Sequence, residues 1–160
     1  MGVTVLRDAD SAVVIDDSAR GIVFATWFGE PTIPLVDRYF EWHGDYLGRL
    51  RKERGRFALI TDTFATARPS PNARKRIAER TAALGPDTQE LTVGSYLVVE
   101  NALIRGAITA LAWLHAPLAE TQAVGSPALA IDAALRDLDA AGIPRPTNLS
   151  PATYKRPARP

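Results

Sequence analysis

Cysteine is absent from the 160 residues. Disulfides, thiolate catalysis, iron–sulfur clusters and thiolate zinc sites are excluded with it. Histidine is scarce as well. The two present, His43 and His115, have no metal-ligand spacing, so no metal site is expected. Long apolar runs are missing too: the longest weakly polar stretch, Ala102 to Leu114, is interrupted by Arg105 and falls far short of a membrane span. The N-terminus carries no basic segment followed by an apolar run, which predicts a cytoplasmic protein with neither signal peptide nor membrane span. Nor is there an excess of either charge. Nineteen basic residues stand against eighteen acidic ones, a balance that argues against a dedicated nucleic-acid binder. No G-x-S-x-G elbow, phosphate-binding P-loop, G-x-G-x-x-G turn or internal repeat is found. These absences leave no self-sufficient catalytic kit, so neither a catalytic residue nor a cofactor is assigned.

What is present is an ordinary globular composition, 46% apolar and 23% charged. A chain of this length supports one core that buries roughly 70% of the surface of its unfolded form. Val3 to Leu6, Ala12 to Ile15 and Ile22 to Phe28 read as strands joined by two polar turns, hence as successive antiparallel hairpins. Thr32 caps a long helix to about Arg54, with Pro34 in its first turn and Gly55 as its stop. Val36, Phe40, His43, Leu47 and Leu50 form its buried face. Phe57 to Ile60 predicts a buried strand ending at Thr61-Asp62, followed by a polar loop. Ser70-Pro71 then opens a helix to Leu84. Ser95 to Val99 predicts another buried strand, Asn101 caps a further helix, Gln122 to Val124 gives a short strand, and Ser126-Pro127 starts a last helix closed by Gly142. Strands alternating with helices from Phe57 onward imply βαβ units. The expected fold is therefore α/β, one domain over residues 1–142, with a mixed sheet whose antiparallel strands come first. Residues 143–160 hold five prolines, four basic residues and no acidic one, and predict a flexible tail. Nucleic-acid association through that basic tail is the least favoured of the functional readings.

Two regions are chemically informative. Sites in α/β sheets form beyond the carboxyl ends of parallel strands, and the loop Asp62 to Ser70 leaves such an end. Asp62 is expected at the strand tip, and Ser70 at the head of a helix whose free N–H groups favour anions. Arg74, Lys75 and Arg76 follow in the early turns, where cations oppose the helix dipole. An anionic ligand, a phosphorylated residue or an acidic partner would offset that opposition; simple exposure to solvent would screen it. The second region is the first long helix, where His43 lies on the apolar face beside Trp42 and Tyr46. Its functional reading is a shielded general base, and its favoured reading is a core histidine satisfied by one hydrogen bond.

The order of elements over residues 12–141 resembles STAS and SpoIIAA-like domains, the family of the anti-sigma factor antagonists. The hairpin strands, long helix, buried strand ending at Asp62 and helix headed by Ser70 carry the likeness, together with the strand-to-helix step from Tyr96 to Ala107. In the antagonists a serine at the head of the second helix is phosphorylated by a partner kinase, and the matching position falls on or beside Ser70. Pro69 stands where the family pattern has an aspartate, and Pro71-Asn72 where it has Ser-Gly. The resemblance implies a non-enzymatic regulatory or scaffolding protein that binds a protein partner through the 62–80 face, with Asp62, Arg68, Ser70, Arg74 and Arg76 as contacts. The alternative is a small-molecule or lipid binder with a pocket lined by Trp42, His43 and Asp62. Pairing of two copies through a free edge strand is a further expectation.

Overall fold

The structure is a computed structural model and describes residues 2–85, 87–102 and 121–160. The chain is α/β. It runs β1 (Val3–Asp8), β2 (Ser11–Asp16), β3 (Ile22–Gly29), α1 (Ile33–Glu53), β4 (Phe57–Thr66), α2 (Pro71–Ala83), α3 (Asp87–Leu91), β5 (Thr92–Val98), β6 (Thr121–Val124) and α4 (Pro127–Ala140). Six strands form one sheet in sequential order. The first three pair antiparallel, and β3 through β6 pair parallel. Among the described residues no helix is long and apolar enough to cross a membrane.

Tight turns set the antiparallel half. Ala9, at the β1–β2 turn, takes a left-handed φ of 51°. Gly29 closes β3 at φ 73°, and a Cβ there would stand 2.7 Å from the Asp10 carbonyl oxygen. Only glycine lets the hairpin tip approach so closely. Thr32 caps α1 by accepting the Leu35 N–H at 3.3 Å. At its far end Arg54, not Gly55, takes the left-handed cap conformation (φ 52°).

The central strands are apolar on both sides, as parallel strands under helices are. Val13, Ile15, Val23, Ala25, Trp27 and Phe57 pack under α1. Ile22, Phe24, Ala58, Ile60, Tyr96 and Val98 face the other way, toward Ala130, Ile131, Ala134 and Leu138 of α4. Consecutive crossovers of one hand, stepping the same way along a sheet, put their helices on one face. Accordingly Ile77 and Leu84 of the α2 region and Leu91 of α3 join the α1 side. Only Ala73 of α2 is fully buried, so α2 is an outer helix.

Several sequence-based boundaries move. β4 continues through Thr66, so Asp62 lies inside a strand and not at its tip. β5 begins at Thr92, and α3 occupies part of what reads as a plain connection. The helix expected after Asn101 lies outside the described residues, as does His115. β1 and β6 are the edge strands of the sheet, and Val3 and Val5 of β1 are exposed.

One close approach on the α4 side invites a test. Buried Tyr96 donates its hydroxyl to Asp137 of α4, and a Cβ on Gly94 would fall 2.1 Å from Asp137 Oδ2. Gly94→Ala should therefore force Asp137 away from Tyr96. An unsatisfied buried hydroxyl predicts a loss of about 2 kcal/mol in urea unfolding. The added Cβ would also meet the Tyr96 ring at 2.9 Å, so in an Asp137→Ala background the substitution should cost less without becoming neutral; equal penalties in the two backgrounds would refute the Asp137 part of the account.

Candidate functional site

The residues expected to share one face do not. Asp62 faces the α4 side, 2% exposed, between Thr26 of β3 and Val98 of β5. The helix α2 lies on the α1 side of the sheet. Ser70 caps it, its hydroxyl accepting the Ala73 N–H at 3.2 Å. Arg76 is committed to structure: its guanidinium holds both carboxylate oxygens of Asp37, at 2.8 and 3.1 Å, and Arg80 reaches the same carboxylate at 3.2 Å. The Arg76 hydrogen bonds hold the Asp37 pKa below its ordinary value. This clamp fastens the polar α2 to the start of α1. Lys75 is 4.0 Å from Glu79 one turn on. Arg68 and Arg74 remain exposed, with no ion-pair partner among the described residues.

Asp62 is instead the centre of a second constellation. A register shift between β3 and β4 follows it, after which Phe28 pairs with Ala65. Asp62 Oδ1 accepts the Phe64 N–H at 3.1 Å across that irregularity, a local side-chain-to-backbone bond of the kind that favours aspartate. Its Oδ2 accepts from Arg156 Nε at 2.7 Å. Arg156 also contacts Glu100 at 2.6 Å and lies 4.2 Å over the Phe64 ring. Burial works against the charge on Arg156, but Asp62 and Glu100 more than offset it, and its pKa is raised.

Arg156 belongs to the segment whose composition reads as a flexible tail. In the structure that segment crosses the α4 side of the sheet. Ile143, Leu149 and Tyr154 pack against the core. Tyr154 stacks on Phe24 with centroids 4.7 Å apart, and burial pushes its phenol up to about 12. Asn148 and Arg159 donate to the carbonyl oxygens of Ser18 and Asp10. The physical reason for the difference is the sheet beneath: α4 lies mainly over β4 to β6 and only borders β3, so Phe24 and its neighbours need further cover. Tyr154, Arg156, Phe64 and Glu100 are the residues that the sequence reading missed. An aromatic and an arginine spaced two apart in a proline-rich segment were the available signal.

Trp42 and His43 do not meet Asp62, which lies on the opposite face. His43 is 4% exposed, with the rings of Tyr39, Phe40 and Phe57 around it at 5.8, 6.5 and 6.0 Å between centroids. Trp42 stacks on Tyr46 at 5.2 Å. Neither ring nitrogen of His43 finds the expected hydrogen bond among the described residues. An open cleft of about 620 Å³ is found elsewhere, between the β1–β2 turn and Arg159. Among the described residues no group of three His, Asp or Glu side chains could hold a metal ion.

Burial pushes the His43 pKa down to about 4. The unfolded chain, with an ordinary histidine pKa of about 6.5, binds this proton first. Stability from this group is therefore complete above pH 6.5 and is lost as pH falls toward 4, by about 3 kcal/mol at most. His43→Leu should keep the fold, equal or exceed the parent's stability at pH 7, and flatten urea-unfolding free energies between pH 6.5 and 4. An unchanged acid slope would assign the titration to another group.

In comparison with known proteins, no family model, no curated protein and no solved structure matches the chain.

Proposed function

We propose that the protein is a non-enzymatic regulatory or scaffolding protein of STAS-like type, which holds an acidic protein partner on the outer side of α2 and the loop before it. The observation that carries this reading is the contrast among the cations there. Lys75, Arg76 and Arg80 each have an acidic neighbour, whereas Arg68 and Arg74 are exposed and have none among the described residues. Arg74, in the first turn of α2, opposes the helix dipole by roughly a few tenths of a kcal/mol. A partner carboxylate at that position would offset the opposition and steer association. The order of elements, antiparallel hairpins followed by alternating strands and helices, supports the family part of the reading.

Arg76 is not a suitable probe, because its loss would unfasten α2 from Asp37. Arg68→Glu with Arg74→Glu is the informative pair. Affinity purification from native cells should lose its co-purifying protein with this variant, and binding to the purified partner should weaken by about tenfold or more at low salt. Thermal stability should hold or rise, since acidic residues suit a helix start. Unchanged capture by the double variant would sink the proposal.

A further inference from the structure

The path taken by residues 143–160 has the features of a bound peptide more than of a folded element. Among the described residues, the segment beyond Ile143 makes no backbone-to-backbone hydrogen bond with the sheet; its own bonds close only the turn at Ser150. It is held by side chains, chiefly Tyr154 on Phe24 and Arg156 on Asp62. That is the pattern of side-chain pockets reading an extended ligand. The floor is built of Phe24, Thr26 and Asp62, with Phe64 and Glu100 at the rim. Asp62 is 2% exposed and Thr26 is fully buried, whereas Phe64 remains 44% exposed even beside the segment.

Two details define what such a groove accepts. A buried carboxylate without a cation is strongly disfavoured, so any occupant must bring a cation to Asp62. The Phe64 ring beneath the guanidinium, and the second carboxylate of Glu100, favour the planar, multiply donating arginine over lysine. Among the described residues, the chain's own segment also leaves one donor of this arginine unmatched: Arg156 Nη2 is buried without an acceptor. A different occupant that supplies that acceptor would hold the groove more tightly.

We propose that the channel over Phe24 and Asp62 is a recognition groove for a partner segment that carries an aromatic residue two positions before an arginine. Residues 148–160 fill it in cis as a displaceable strap. This surface lies on the opposite face of the sheet from α2 and is independent of the reading given above. The covalent tether gives the strap an effective concentration in the millimolar range, so a free segment competes only when it fits better or when the strap is weakened.

The experiment uses the full chain and a fluorescent synthetic peptide of residues 148–160, followed by anisotropy. Arg156→Ala weakens the strap in cis. That variant should bind the peptide at least tenfold more tightly than the native chain does. The same peptide carrying Arg156→Ala should bind at least tenfold more weakly to it, and adding Asp62→Asn to the chain should abolish binding. Equal binding by native and Arg156→Ala chains, or equal binding of the two peptides, would overturn the proposal. If Arg156→Ala fails to fold by circular dichroism, Tyr154→Ala provides the same comparison while keeping the Asp62 pair; a Tyr154→Ala chain that folds and gains no peptide affinity would also overturn it. Dimers of the native chain that vanish with Arg156→Ala would assign the groove to the C-terminal segment of a second copy and overturn the assignment to another partner.

Discussion

A parallel sheet has to be covered on both sides, and this requirement shapes most of the molecule. In β3, the consecutive residues Ile22, Val23, Phe24 and Ala25 are all buried, so neither face of that strand can meet water. The α1 side is closed by one long amphipathic helix with α2 and α3 at its margin. On the other side α4 covers mainly the later strands, and further cover has to close over Phe24, Thr26 and Asp62. The last eighteen residues do so. Their prolines, which deny them a place in a helix or a central ladder, are no handicap to a segment that needs neither.

Charged side chains act mainly as fasteners between elements. Asp17, in the β2–β3 turn, takes Arg49 of α1 at 2.8 Å. Asp37 takes Arg76 and Arg80 across the α1–α2 contact. Asp62 takes Arg156 of the strap. In each case the acid sits on the earlier element and the arginine arrives later in the chain. Arg68 and Arg74, which have no ion-pair partner among the described residues, are informative because the cations beside them have one.

Periodicity made the fold class legible. The two hairpins, α1 headed by Thr32, α2 headed by Ser70 and α4 headed by Ser126 could all be read from spacing and N-capping residues. The candidate site was less so. Asp62 was singled out from its place near a strand end, yet its ion-pair partner, Arg156, lies ninety-four positions later. No local pattern encodes a contact of that range. Composition misled for the tail because proline and basic residues describe a chain that cannot build its own core; they are silent about whether a neighbouring core needs covering. For His43, apolar spacing gave the burial correctly but could not show that both ring nitrogens would lack partners.

The two surfaces differ in the kind of recognition that their physics allows. Exposed arginines such as Arg68 and Arg74 are hydrated and screened, and an ion pair there contributes about 0–1 kcal/mol. In the proposed role they would steer an acidic partner toward this face more than hold it. Asp62 is in the opposite regime. A buried pair adds little net stability over an apolar pair of the same shape, but removing one partner costs about 3–5 kcal/mol. Asp62 therefore adds little to how firmly the sheet is closed and a great deal to which segment can close it. A cover without an arginine would bury the apolar floor equally well and still be rejected at this one position.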